Sequence, residues 1–400
     1  MKETITIGIK DVEISDAIKR KMDGKGFGNE RVESFKKYFE TETPILKHGL
    51  GVTTDLSWLE LGDDRVFREG KTIVESDNKK LKVYTWNEFL ETTDFSEEQK
   101  NSMKKKLDVS ISNEKIGYLH RSMSNIIICS MPENTSLKEP VKIKNEVSNN
   151  SYTHLALFIG KNTNAEILLE INSGEESFFT HQTDVIISEN SKVSVIQLKK
   201  PVKNSVCYSR INPVVLDDSE FRLLACDSNQ RLLLQEVFAR LKGNNSSARL
   251  SNMYLAGKGE EINSYSIAQH EGTNTFSLMQ TKGSLLSSKT INRGLVRIKE
   301  DASDSNGYQK LESLMLDDNA RSISIPDLEI HNDKVKCTHG ATTTRIDEEK
   351  VFYMMSRGIS KRKAEEQLVE GFYYPAINEI KDEETKELLL NTLMGRLREE

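Results

Sequence analysis

From about Tyr118 to Cys337 the chain is written in short apolar–polar alternations broken by Asn, Asp, Gly and Ser, and that texture limits the folds open to it. In the run NAEILLEI, Ala165, Ile167, Leu169 and Ile171 share one side of an extended chain. Val193 with Val195, and Val296 with Ile298, repeat the pattern. A strand sends alternate side chains to opposite faces, so these runs predict strands with one face buried. The breaks fall at Ser173-Gly174, Glu189-Asn190, Asp217-Asp218, Gly243-Asn244-Asn245 and Asp317-Asp318-Asn319, all residues suited to turns. Short strands recurring at this density predict an all-β sandwich, barrel or solenoid. No repeat of fixed length is read here. That argues against a propeller or a leucine-rich array and favours an irregular solenoid, in which each coil need only match its neighbours.

The flanks read differently. Before the strands, Val32, Phe35, Tyr38 and Phe39 fall on one helical face, a second helix is predicted around Trp86–Leu90, and Ser96 opens a third with a capping box onto Gln99. The run Lys104-Lys105-Lys106 reads as a solvated helix face. After the strands, Asp347 caps a helix carrying Val351, Phe352 and Met355, stopped at Arg357-Gly358. Ser360 caps the next, with Ala364 and Leu368 on one face and an expected end at Gly371. Asp382 precedes a third, with Leu389, Leu393 and Leu397 as its stripe. Packing on the β body and a surface for a partner both remain open for that stripe. The chain therefore divides into an α-rich region 1–114, a β core 115–345 and a helical region 346–400.

Composition removes several classes of function. The 56 basic and 62 acidic residues give a net charge of −6, which offers no field to steer nucleic acid. No apolar run approaches the ~18–20 residues of a membrane helix, and MKETITIGIKDVEIS has no signal-peptide core. Cysteines 129, 207, 226 and 337 form no C-x-x-C pair, so the expectation is reduced thiols in the cytoplasm. Phosphate-binding loops, H-E-x-x-H and G-x-S-x-G elbows are missing, and His48, His120, His154 and His181 have no ligand-type spacing.

One constellation stands apart. In Val335-Lys336-Cys337-Thr338-His339-Gly340 a thiol and an imidazole lie two residues apart, on one face if the segment is extended. That donor pair suits iron, zinc or an iron–sulfur cluster, but two ligands do not complete a site.

These residues carry a family resemblance. Pro326-Asp327-Leu328-Glu329-Ile330, the Val335–Thr342 run, Ile346-Asp347-Glu348-Glu349, Phe352-Tyr353, Ser356-Arg357-Gly358-Ile359, Ala364 and Gly371-Phe372 resemble the C-terminal signature of the SufB/SufD family. Lys282-Gly283, Asp301-Ala302 and Gly307-Tyr308-Gln309 extend the likeness upstream. The resemblance implies a right-handed parallel β-helix flanked by helical regions, in a scaffold for iron–sulfur cluster assembly rather than an enzyme. It implies pairing through the β-helix with a SufB-type paralogue or a second copy, and a transient Fe–S cluster held only in the complex at Cys337 and His339. It further implies a SufC-type ABC ATPase on the C-terminal helices. Phe352, Met355, Leu368 and Phe372 are the apolar docking candidates there, with Arg357 and Gly358 closing the first helix. Flavin binding stays open. SufB-type chains carry a cysteine where Leu311 stands, and glutamates on both sides of the histidine. The chain is therefore closer to SufD, with a merged SufBD homodimer, or a β-helix interaction module without cluster binding, as the alternatives. Glu312, beside Leu311, is kept as a further ligand candidate.

Overall fold

Each of the first seven coils of the middle region turns on one residue held in the left-handed backbone region. Asn134, Asn162, Asn190, Asp218, Asn245, Asn274 and Asp304 have φ between 53° and 59°, a conformation that Asn and Asp tolerate better than other residues bearing a Cβ. Their side chains stack from coil to coil. The Asn162 amide donates to Asn134 at 2.9 Å, and Asn190 donates to Asn162, Asn245 to Asp218 and Asn274 to Asn245 at 2.8 Å each. The next residue is always Ser or Thr, from Thr135 to Ser305, and it too is bonded across coils; the Ser191 amide, for instance, donates to the Ser219 hydroxyl at 3.1 Å. These side chains satisfy turn backbone groups that would otherwise be buried without partners.

The computed structural model describes residues 3–7, 10–14, 28–43, 45–49, 52–59, 72–107, 114–147, 150–173, 176–200, 202 and 204–399. Within them the core is a β-solenoid of about eight turns, built as two nine-stranded sheets. One sheet runs through Val141–Val147, Asn164–Ser173, Lys192–Lys200, Glu220–Ser228, Ser247–Ala256, Phe276–Leu285, Asn306–Met315 and Lys336–Arg345. The second runs through Asn125–Met131, Ser151–Ile159, Phe178–Ile187, Ser205–Val215, Gln230–Leu241, Glu261–His270, Lys289–Ile298 and Arg321–Ile330. Successive strands of each sheet pair in parallel. At the first edge, Thr72–Ser76 and Lys82–Thr85 close the sheets antiparallel, so residues ahead of 115 contribute to the sheets.

Both faces of each sheet are put to use. Inward residues such as Ile143, Leu169, Val195, Leu223, Leu155 and Val185 fill the lumen. The outer faces are covered by helices. On the second sheet, helices α1 (Gly28–Glu40) and α4 (Glu114–Met123) seat Phe35, Tyr38, Ile116 and Leu119 against Tyr152, Tyr208 and Leu234. Helices α2 (Trp86–Glu91) and α3 (Glu97–Lys106) cover Ile128, Phe158 and Ile186. The expected capping box of Ser96 with Gln99 opens α3.

Helices α5 (Glu348–Ser356), α6 (Lys361–Ile377) and α7 (Glu383–Glu399) close the chain. Asp347 caps α5, and Gly358, at φ +86°, ends it through its N–H to Met355 O at 3.0 Å. The expected stop at Gly371 does not occur. Tyr373, Ala376 and Ile377 beyond it are buried against the first sheet, and this packing outweighs the roughly 1 kcal/mol cost of a mid-helix glycine. Leu389 and Leu393 of the α7 stripe pack there with Val369 and Tyr373, over Leu168, Leu198, Leu224 and Leu255. No helix among the described residues is long and apolar enough to cross a membrane.

Candidate functional site

Cys337 and His339 lie on the last strand, Lys336–Arg345, whose only sheet neighbour among the described residues is Asn306–Met315. The parallel register sets Gly307 beside Cys337, Gln309 beside His339, Leu311 beside Ala341 and Glu312 beside Thr342. Cys337 is half-buried and packs against the lumen cluster, which fixes it as inward-facing. His339, two residues on, shares that face at the open end of the solenoid and is exposed. Burial pushes the Cys337 thiol above its ordinary pKa, opposed by a hydrogen bond from the Gly307 backbone. Gly307 is required here, since a Cβ would meet Val296 Cγ1 at 2.4 Å.

Next to His339, the Gln309 amide is buried. Its Nε2 donates to Asp327 O at 2.7 Å, while its Oε1 is buried with no partner. In the sequence Gln309 stands out only as part of the Gly307-Tyr308-Gln309 likeness. Leu311 is lumen-facing and 2% exposed, so an apolar side chain fills this position two residues from Gln309.

Glu312 alternates to the other face. It bridges Lys282 at 3.0 Å and Lys310 at 2.9 Å. Burial raises its pKa, but the hydrogen bonds from the two lysines outweigh this and hold the carboxyl below its ordinary value. Glu312 is therefore not brought together with Cys337 and His339. Among the described residues no group of three or more His, Cys, Asp or Glu side chains is arranged to hold a metal ion. One chain supplies two soft donors at an open edge.

The motif Lys282-Gly283 has a packing explanation. The Lys282 ammonium sits 4.5 Å above the Phe372 ring, and a Cβ on Gly283 would strike the Tyr254 ring at 2.2 Å. Tyr373, next to Phe372, donates its hydroxyl to Tyr254 O and accepts from the Ser284 amide at 2.9 Å. Phe372 and Leu368 are half-buried on this side of α6, whereas Phe352 (73% exposed) and Met355 (44%) project from α5. Arg357 is exposed and lies over the Tyr353 ring at 5.4 Å. The six docking candidates thus fall on two surfaces. Tyr353 and Tyr374, 60% and 56% exposed, are further aromatic side chains that the sequence reading did not select for docking.

The scattered histidines also acquire partners. His154 pairs with Asp184 at 2.8 Å under α4, its ring 5.8 Å from that of His120, and both are buried.

A family model, the SufBD core domain of the SUF system for iron–sulfur cluster assembly, matches residues 142–372, more than half of the chain. The chain belongs to the SufBD family. Among curated proteins, this SufBD chain is 29% identical over 170 residues to the iron–sulfur cluster assembly protein SufD of Escherichia coli (strain K12), covering 42% of this chain and 40% of that protein. It is 32% identical over 198 residues to an iron–sulfur cluster assembly SufBD family protein of Staphylococcus aureus (strain USA300), covering 49% of this chain and 43% of the relative. The SufBD chain thus spans less than half the length of these relatives.

Proposed function

We propose that this chain is a SufD-like subunit of an iron–sulfur cluster assembly scaffold. Its terminal coil pairs with a SufB-type chain, and the joined edges handle a nascent cluster that is cargo rather than a resident cofactor. The observation that carries this reading is the pair Cys337 and His339, on one face of an edge strand, with Leu311 where a further thiol would stand. A thiolate and an imidazole from one chain leave ligand positions for a second chain to fill. The open edges of Lys336–Arg345 and Arg321–Ile330 present ten-residue strands to such a partner. Exposed edges of this length favour strand addition. A second copy of this chain is the alternative partner, because the same edges are available on it.

The chain has no catalytic step of its own in this reading; an ABC-type ATPase docked on α5 supplies the energy for changing the interface. Phe352 and Met355, with Tyr353, support that assignment by their exposure. A reducing cytoplasm suits the four free thiols.

The test is anaerobic reconstitution with iron and sulfide, with and without a SufB-type partner. Cys337→Ser and His339→Ala should each lower the iron and sulfide recovered with the complex while leaving the solenoid folded. Uptake should release protons and weaken at acid pH, because the half-buried thiol must ionise to bind. Unchanged cluster content in both variants refutes the assignment.

A further inference from the structure

Helices α1 and α4 are clamped to each other as well as to the sheet. Arg31 of α1 donates to the carbonyls of Ser122 and Ser124 at the end of α4, at 3.1 and 2.8 Å. Lys115 of α4 donates to Tyr38 O at 2.9 Å and to Thr41 O just past the end of α1. Each helix thus satisfies carbonyls that the last turn of the other leaves open. The pair forms one unit, and α4 runs into the first strand of the second sheet at Asn125.

Beneath this unit the outer face of the second sheet carries a buried polar layer. His120 of α4 reaches Thr180, Nδ1 to Oγ1 at 2.6 Å. Asp184 accepts from His154 Nε2 at 2.8 Å, from Gln182 at 3.1 Å and from Asn212 at 2.8 Å, and Arg210 donates to Asn212 at 2.7 Å. All of these residues are buried. Three donors converge on the Asp184 carboxylate, which places the His154 proton on Nε2 and leaves Nδ1 bare. His154 Nδ1 and His120 Nε2 are both buried without a partner. A second proton on either ring therefore creates a buried N–H with no acceptor, and the other ring lies only 5.8 Å away.

The charges around the two rings do not offset such a proton. Among the described residues, Asp184 is the one carboxylate bonded to either ring. A cavity of about 220 Å³ beside His154 is lined by Arg31, Lys37 and Arg121 as well as by Glu30 and Glu33, and Glu33 is paired with Lys37 at 2.7 Å. Arg210 adds a cation from the sheet, with Glu236 at 3.5 Å. Burial first, then the charges of His154, His181, Arg31 and Arg121, hold the His120 imidazole well below its ordinary pKa. The closed interface thus refuses a proton that the released chain accepts near 6.5. Its contribution is complete above pH 6.5 and is lost as pH falls below that value.

We propose that the α1/α4 pair is an acid-released clasp, which lifts from the second sheet at His120 and His154 while the solenoid beneath stays wound. The lumen histidines act elsewhere. His181 is bonded to Asn145 and Thr183, and His270 to Thr275 and Ser277, so charging them opens coils and not the clasp. Local units open at a lower free energy than the whole fold, so the clasp goes first. This assignment is independent of cluster handling, because none of its residues belongs to the terminal coil.

The test is hydrogen exchange read by mass spectrometry on the full chain, stepped from about pH 7.5 to about pH 4.5 and corrected for intrinsic rates. Peptides from Gly28–Glu40 and Glu114–Met123 should lose protection together, at a higher pH than those from Ser205–Val215 and Gln230–Leu241. His120→Asn keeps an amide for Thr180, His154→Gln keeps one for Asp184, and neither new side chain takes up a proton. Each should move the clasp transition down by about half a pH unit or more and leave the strands where they were. Circular dichroism at neutral pH separates a lost clasp transition from lost folding. A single transition shared by clasp and strands in the unaltered chain overturns the proposal, as does an unmoved clasp transition in both folded variants.

Discussion

Arg396 and Glu260 form a buried ion pair, Nη2 to Oε1 at 2.8 Å, joining the last helix to a solenoid turn 136 residues earlier. Each side chain is 4% exposed, and the second Glu260 oxygen accepts from the Gly257 amide at 2.8 Å. Removing one partner of such a pair strands a charge in the interior, at a cost of about 3–5 kcal/mol. Glu260→Gln and Arg396→Met should each lower the denaturation midpoint strongly, and the double variant should lose much less than the sum. Strictly additive losses in chemical denaturation would mean that the two charges are not coupled.

His270 makes the chain acid-sensitive. The imidazole is buried, bonded to Thr275 at 2.7 Å and to Ser277 at 2.8 Å, and burial pushes its pKa down to about 4. The folded state thus disfavours the proton that the unfolded chain accepts near its ordinary 6.5. The resulting stability is complete above pH 6.5 and is lost as pH falls from there toward 4, on the order of 3 kcal/mol in total. His270→Gln should reduce the pH dependence of the denaturation midpoint across that window without abolishing it, because burial also pushes His120 and His181 down. An unaltered slope would assign the acid sensitivity to other groups.

The sequence showed the solenoid through its alternation but concealed its period. Asn134-Thr135, Asn162-Thr163, Asn190-Ser191, Asp218-Ser219, Asn245-Ser246, Asn274-Thr275 and Asp304-Ser305 mark the first seven coils. The residues linked along this ladder stand 27, 28 or 29 apart, and Thr275 and Ser305 stand 30 apart. A search for one fixed length misses a two-residue signal whose spacing drifts. The register of Cys337 with His339 follows from strand periodicity alone, so that pair was readable. The lysine partners of Glu312 were not, because Lys282 comes from the preceding coil and coil length decides which residue arrives there. Gly371 misled for a related reason. Glycine as a helix stop is a local signal, and burial of Tyr373 and Ile377 is a tertiary one.

Two glycines separate these kinds of constraint. Gly283 faces the Tyr254 ring at 2.2 Å from an added Cβ, whereas Gly371 has nothing within 4 Å. Gly283→Ala should destabilise by about 1–3 kcal/mol through overpacking. Gly371→Ala should stabilise α6 by up to about 1 kcal/mol. Thermal melts of the two variants should therefore shift in opposite directions, and a shared direction would contradict the packing described for Tyr254.

The C-terminal helices present two different surfaces, one packed on the sheet and one exposed, and that decides how the proposed docking must be tested. Val369, Tyr373, Leu389 and Leu393 cover Leu168, Leu198, Leu224 and Leu255, so deleting everything after Ile346 uncovers an apolar sheet face and confounds lost binding with lost folding. Helix α5 is separable, since Phe352, Tyr353 and Met355 are exposed while only Val351 of that helix is buried. Phe352→Ala with Met355→Ala should leave the melting temperature within about 1–2 °C, because exposed side chains contribute little to the fold. The same double change should abolish co-purification of the ABC-type ATPase if α5 is the docking helix. Tyr373→Ala is the converse control: it should cost about 3–5 kcal/mol, as large core truncations do. Retention of the ATPase by a folded Phe352→Ala/Met355→Ala variant would move the docking surface off α5, to the half-buried Leu368 and Phe372 side of α6 or elsewhere.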